Sequence, residues 1–153
     1  MTILLASCGF QLRGDPEVGI KKLYISATGP SQVQTEIKRT LATGPTRIVD
    51  KPADAQAHLH IIQETREKTV FTITGEGRLY EYQLKLSVRY ELLVPGRDLP
   101  VIEPADVVAR RLITYSVNAP TAKDTEEQLL YKDMQKDLAH QILSHVAAMK
   151  PEI

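Results

Sequence analysis

The sequence predicts an α+β domain of two layers, in which a four-stranded mixed β-sheet carries two α-helices packed on one face. Three observations predict this fold: one long segment with strict two-residue alternation, two segments with apolar residues at helical spacing, and the order of these segments along the chain. The chain has 153 residues, 42% hydrophobic and 25% charged, which suits one folded domain. We therefore expect residues 8–153 to form a single unit.

Residues 80–94 give the clearest strand signal. Apolar or aromatic residues alternate with mostly polar ones over these fifteen residues, which predicts one buried face and one face in contact with water. At about 3.3 Å per residue this strand would be about 50 Å long, much longer than a usual strand. We expect it to project beyond the domain core, with residues 57–73 and 107–117 as its antiparallel neighbours.

The first predicted helix follows a short strand at residues 22–26. Ser31 and Gln34 have the three-residue spacing of a helix-capping pair. Apolar residues then recur at four-residue spacing and form one stripe: Val33, Ile37 and Leu41. A Gly-Pro pair at residues 44–45 ends the helix, and the strand–helix–strand order predicts parallel strands. Residues 47–49 give only a weak strand signal, and the predicted sheet does not include them.

The last helix is predicted to begin near Asp124. Glu127 stands three residues later, near the positive end of the helix dipole. A long apolar stripe follows: Leu130, Met134, Leu138, Ile142 and Val146. Pro151 ends the pattern. Two amphipathic helices of this kind can cover one face of a single twisted sheet.

Composition argues against several classes of function. Nineteen basic residues balance nineteen acidic residues, and there is no Trp, so no nucleic acid is expected as a partner. No apolar run is long enough to span a membrane as a helix. The single cysteine, Cys8, excludes an internal disulfide and a zinc site built from several cysteines.

No catalytic or metal-binding motif is recognisable in the sequence. His58 and His60 would lie on one face of a strand, but no third ligand is placed near them, so ordinary sheet-face histidines are favoured over a metal site. The charged run of residues 66–68 is interpreted as a solvated hairpin end. We therefore expect a binding or scaffolding protein that is not an enzyme, with no catalytic residue, no metal and no cofactor.

The first residues have the pattern of a bacterial lipoprotein signal. Leu5-Ala6-Ser7-Cys8 places an apolar residue and two small residues before a cysteine, the arrangement at which a lipid is attached to the thiol. Residues 1–7 would then be the remainder of a signal segment, and Cys8 would carry the lipid anchor. Gly9 follows where Asp would retain a lipoprotein at the inner membrane, so we expect the outer membrane.

Four motifs in order along the chain carry a resemblance to a known family. They are Cys8-Gly9-Phe10-Gln11-Leu12-Arg13-Gly14, Glu81-Tyr82-Gln83-Leu84, Val94-Pro95-Gly96-Arg97-Asp98, and Ala122-Lys123-Asp124 followed by Glu127-Gln128. With these motifs the chain resembles the LPS-assembly lipoprotein LptE family over nearly its whole length. The resemblance implies a lipid-anchored outer-membrane protein on the periplasmic side. Such a protein plugs the lumen of the β-barrel LptD, aids that barrel's assembly and helps deliver lipopolysaccharide to the cell surface.

The resemblance also implies residues that bind lipopolysaccharide. One basic position of the family corresponds to Lys123, beside the predicted start of the last helix. The other falls on Thr72 in this chain, and the nearest cation is Arg78 across the hairpin turn. Lys123 and Arg78 are therefore the expected lipopolysaccharide contacts.

Two other functions stay open. The chain could be a lipid-anchored pilot of another envelope machine, or a small-ligand-binding domain with a pocket between the helices and the sheet. A pocket would need polar or ionisable residues on the inward face of residues 80–94, where only tyrosine hydroxyls occur. This composition favours the barrel plug over the pocket, whereas a pilot would share all of these sequence features.

Overall fold

The structure, a computed structural model, describes Gly14 and residues 16–73, 79–116 and 120–149. Five strands and two α-helices occupy these residues. In chain order they are β1 (Lys22–Ala27), α1 (Gln32–Leu41), β2 (Arg47–Val49), β3 (Ala57–Ile73), β4 (Leu79–Leu93), β5 (Ile102–Ser116) and α2 (Pro120–Ala148), with a 3-10 turn at Pro52–Asp54. The predicted α+β class, with two helices and a mixed sheet, is confirmed.

All five strands form one sheet in the order β2-β1-β3-β4-β5. β1 is parallel to both of its neighbours, whereas β3, β4 and β5 are antiparallel. The prediction of four strands is wrong, because residues 47–49 add a fifth strand at the edge. Three residues are too few to show an alternation. β2 forms because it pairs with β1, and the Arg47 amide donates a 2.8 Å hydrogen bond to the Lys21 carbonyl beside that pairing.

One hydrophobic core joins the helices to the sheet. The alternation predicted for β4 is confirmed, since its inward residues are fully buried: Leu84, Leu86, Val88, Tyr90 and Leu92. Burying each such side chain stabilises the fold by about 1.5–3 kcal/mol. The apolar stripes of both helices are buried in the same cluster, and the two helices contact each other. They therefore cover one face of the sheet, and the polar residues of β4 lie on the other.

The three long strands extend past the rest of the sheet. β3 has 17 residues, and β4 and β5 have 15 each. β1 pairs only with residues 57–61 of β3. Residues 66–73 are all exposed at the far end of β3, in contrast to the buried positions near its start. The predicted projection of long strands beyond the core is confirmed.

β3 changes the face that it presents to the helices partway along its length. Ile61 pairs with Tyr90 and Gln63 pairs with Arg89, so Ile62 is an extra residue in the ladder, a β-bulge. Before the bulge, the odd-numbered residues are buried. After it, the even-numbered residues at 64, 66 and 68 stand opposite buried residues of β4. A charged stretch of β3 consequently faces the helices.

α1 begins where the sequence predicts, whereas α2 begins earlier. The Ser31 hydroxyl accepts a 2.9 Å hydrogen bond from the Gln34 amide, which confirms Ser31 as the N-cap. α2 begins at Pro120, so the predicted start near Asp124 is wrong. Proline is tolerated in a first turn, because the amide that it lacks would have no partner there and its φ already suits a helix. Lys123 therefore lies within the first turn of α2 and not in front of it.

Candidate functional site

A charged cluster joins the projecting strands to the first turns of α2. Its members lie on the helix-facing side of the strands or on α2 itself: Glu64, Arg66, Lys68, Tyr82, Tyr115, Glu127 and Tyr131. We call this set the strand–helix cluster. It forms because the bulge of β3 turns the even-numbered residues toward the helices.

Lys68 is the centre of the strand–helix cluster. Its Nζ lies 2.6 Å from Glu127 Oε2 and 3.1 Å from the Tyr115 hydroxyl, which itself donates to the same carboxylate. The ammonium also lies over two rings, 4.3 Å from the centroid of Tyr115 and 4.8 Å from that of Tyr82. The ion pair and the cation–π contacts together connect α2 to β3, β4 and β5.

These contacts shift the pKa values of three groups. Partial burial favours the neutral forms of Lys68 and Glu127, but their hydrogen bond and charge attraction outweigh it. The pKa of Lys68 is consequently raised, and the pKa of Glu127 is lowered. The pKa of Tyr115 is raised, first by burial and then by the Glu127 carboxylate. The ion pair is therefore charged at neutral pH, and Tyr115 keeps its proton.

Two other members of the cluster contact α1 and the next turn of α2. The Glu64 side chain is 5% exposed, and its Oε2 accepts hydrogen bonds from the Ser31 hydroxyl at 2.7 Å and the Val33 amide at 3.0 Å. A carboxylate in this position satisfies a free amide and lies at the positive end of α1. The Arg66 guanidinium lies 5.0 Å from the ring centroid of Tyr131 in α2.

The prediction of a solvated hairpin end at residues 66–68 is correct in their exposure and wrong in their place, since they lie inside β3, and Arg66 and Lys68 contact α2. Both residues pair with buried positions of β4 and contact α2, whereas Glu67 lies on the opposite face, 3.2 Å from Lys85. The sequence missed the cluster because a bulge has no periodic pattern. One signal was available: Ile61 and Ile62 are adjacent apolar residues that break the alternation.

Among the residues predicted to contact lipid or lipopolysaccharide, the structure describes Lys123. Its Nζ lies 2.6 Å from Glu126 Oε2, and its side chain is 24% exposed, so its charge is paired within the first turns of α2. Cys8 and Arg78 lie outside the described residues. Thr72, at the second basic position of the family, is exposed near the end of β3.

His58 and His60 make polar contacts on the open face of the sheet. His58 Nε2 lies 2.6 Å from the Ser26 hydroxyl, and His60 Nδ1 lies 2.9 Å from Glu91 Oε1. Burial, and then His60, lower the pKa of His58, against an opposing effect of Glu91. Within the residues that the structure describes, no three His, Cys, Asp or Glu side chains could jointly hold a metal ion. The same part of the chain contains no helix that is both long and apolar enough to cross a membrane.

The fold and the cluster together define a two-layer α+β domain whose long strands project from the core and carry a charged cluster that contacts the N-terminal turns of α2. A family model described as lipopolysaccharide-assembly, LptE, matches residues 20–146. The chain belongs to this family of envelope lipoproteins, and the resemblance predicted from its motifs is confirmed.

Individual relatives match most of the chain. The LPS-assembly lipoprotein LptE of Yersinia enterocolitica is 32% identical over 146 residues, which are 92% of this chain and 69% of the relative. That of Pectobacterium atrosepticum is 26% identical over 145 residues, which are 92% of this chain and 77% of the relative. A lipoprotein B from Nitrosomonas europaea, solved by NMR, has a TM-score of 0.77 and 29% identity, with 94% of each chain covered. The rare lipoprotein B of Shewanella oneidensis shares the fold, with a TM-score of 0.72 and 24% identity over 84% of this chain and 96% of that one.

Glu127→Gln should lower the free energy of unfolding at pH 7 by about 1–2 kcal/mol, because Lys68 loses a charged partner at a partly buried position. Because folding lowers the pKa of Glu127, its carboxylate stabilises the folded protein at pH values above the unfolded-state pKa near 4.5. This stabilisation is lost as the pH falls through the folded-state pKa. The free energy of unfolding, measured by urea titration, should therefore fall more between pH 7 and pH 3 in the wild type than in the variant.

Asp124→Asn is the matched control for this prediction. It removes the same charge from the same end of α2, but at an exposed carboxylate that has no ion pair or hydrogen bond in the described part of the chain. Equal destabilisation by the two variants, or an unchanged pH dependence in Glu127→Gln, would contradict the role assigned to the Lys68–Glu127 pair.

Proposed function

We propose that this protein is an outer-membrane lipoprotein that plugs the lumen of the LptD β-barrel, helps that barrel to assemble, and binds lipopolysaccharide during its delivery to the cell surface. The observation that carries the proposal is membership of the LptE family over residues 20–146. The role is binding and scaffolding, not catalysis, and it suits a site built from ion pairs and stacked side chains.

The projecting strands support a role as a plug. A long ribbon with a polar face suits the polar interior of a large membrane barrel. Large apolar side chains are also exposed in the projecting part: Val70, Phe71 and Ile73 are 53%, 57% and 59% exposed. Large apolar side chains exposed at the end of a polar ribbon favour contact with a protein partner.

Phe71→Asp should reduce the amount of LptD that co-purifies with the tagged protein from outer membranes, because a charge replaces an apolar side chain at the projecting end. Leu99→Asp is the matched control, since Leu99 is 75% exposed but lies in the β4–β5 connection at the opposite end of the sheet. Thermal unfolding of both variants checks the fold. Equal recovery of LptD would count against contact through the projecting strands, and absence of LptD from the wild-type preparation would overturn the plug itself.

We also propose that Cys8 carries the lipid anchor and that residues 1–7 are removed, which leaves residues 8–153 on the periplasmic side. The motif Leu5-Ala6-Ser7-Cys8 supports this, and Gly9 favours the outer membrane. Two or more acyl chains hold a protein stably on a bilayer, at about 0.8 kcal/mol per buried methylene. Mass spectrometry of the membrane-extracted protein should find an acylated peptide that begins at Cys8. A peptide in which Ser7 is still joined to an unmodified Cys8 would refute the anchor.

Lys123 supports the binding of a phosphate group. It lies in the first turn of α2, where free amides and the helix dipole favour an anion. The Lys123 ammonium forms an ion pair with Glu126 at 2.6 Å, and the Glu126 side chain is 47% exposed. A phosphate that binds Lys123 therefore has to displace this carboxylate. Glu126 therefore competes with the ligand and lowers its affinity. Arg78 stays a second proposed contact, on the basis of the family resemblance.

Glu126→Gln should tighten lipopolysaccharide binding by about three- to tenfold, and Lys123→Gln should weaken it by a similar factor. The measurement is a titration of the purified protein, with circular dichroism as the folding control. Glu103→Gln controls for net charge, because Glu103 is exposed in β5 at the other end of the sheet. Unchanged affinity in both the Lys123 and the Glu126 variants would make Lys123 an ordinary surface lysine.

A further inference from the structure

A polar groove runs between α1 and the N-terminal half of α2, with residues of β3 also lining it. Its volume is 920 Å³, within the range of sites that hold small-molecule ligands. Both helices contribute side-chain amides and hydroxyls to the groove: Gln32, Thr35, Thr125, Gln128 and Gln135. Asp124 lines the groove and directly follows Lys123 in the chain, which connects the groove to the proposed phosphate contact through adjacent residues.

Two of the four cations that line the groove are neutralised by neighbouring acids. Arg39 Nη1 lies 2.8 Å from Glu36 Oε2, and Lys68 Nζ lies 2.6 Å from Glu127 Oε2. Both acids also line the groove. These two pairs therefore contribute little net positive charge for a ligand.

The other two cations, Arg66 and Lys132, are available to an anion. Arg66 is held over Tyr131, its ion pair with Glu64 is long at 4.0 Å, and its side chain is 44% exposed. Lys132 is exposed and makes no ion pair or hydrogen bond in the described part of the chain. Asp124 is the acid of the groove that likewise has no cationic partner among the described residues. The groove thus offers two cations against one carboxylate.

We propose that this groove is a second anion subsite. It binds the phosphorylated or carboxylated saccharide headgroup of a lipopolysaccharide molecule whose first phosphate contacts Lys123. The inference rests on the proposed lipopolysaccharide binding and deepens it. Side-chain amides both donate and accept hydrogen bonds, which matches the hydroxyl groups of a sugar. Arg66 and Lys132 match its anionic substituent, since charge-assisted hydrogen bonds to phosphate or carboxylate are the stronger ones.

The test uses the water-soluble phosphorylated oligosaccharide that remains when lipopolysaccharide is deacylated. Lys132→Gln should weaken its binding to the folded protein by about three- to tenfold. Lys136→Gln is the matched control: both lysines are exposed, lie one turn apart on α2 and lack an ion pair in the described residues, but only Lys132 lines the groove. Circular dichroism checks that both variants fold.

Equal affinities of the Lys132 and Lys136 variants would overturn the groove as a site. Inorganic phosphate is the second probe. If phosphate alone binds as tightly as the oligosaccharide and depends equally on Lys132, the saccharide part of the proposal is overturned. Lys123→Gln separates this inference from the proposed function. Loss of affinity in that variant alone overturns only the groove, whereas failure of the wild-type protein to bind lipopolysaccharide would overturn the proposed function as well.

Discussion

The register shift at Ile62 in β3 is the constraint on which the candidate site depends. Without this extra residue, strict alternation would keep the odd-numbered positions facing the helices, and Gln63, Thr65 and Glu67 would lie there. The bulge instead directs the residues at 64, 66 and 68 to the helices, each to a different partner. One residue of register thus places three charged residues, instead of Gln63, Thr65 and Glu67, toward the helices in the far half of β3.

This row of charges connects both helices to the far half of β3 and adds little to stability. Glu64 contacts the N-terminus of α1, and Lys68 contacts Glu127 one turn after Lys123. Partly buried ion pairs lose much of their attraction to desolvation, so the buried apolar stripes supply most of the stability. The Lys68–Glu127 pair has specific geometry, however, and it holds the N-terminal turns of α2 against β3. Asp124, the residue after Lys123, lines the same groove as Arg66 and Lys132.

The sequence predicted the parts of the fold that depend on local pattern. The alternation of β4, the limits of β3 and the apolar stripes of both helices are visible in the order of residues. β2 could not be predicted, because three residues carry no period and pair only with β1. The start of α2 was misplaced because Pro120 suits a chain break as well as a first turn. The face of β3 on which Lys68 lies depends on the register between two strands, which no local pattern shows. Lys123 was identified only through the family resemblance.

Hydrogen–deuterium exchange of a Lys68→Met variant tests the central claim most directly. The substitution removes the charge and keeps an unbranched apolar side chain at the same position of β3. If Lys68 holds the N-terminal turns of α2 against β3, the backbone amides of residues 123–131 should exchange faster in the variant than in the wild type. The amides of α1 should be unchanged, because Glu64 still contacts its N-terminus. Unaltered protection of residues 123–131, or an equal loss of protection in both helices, would contradict the account.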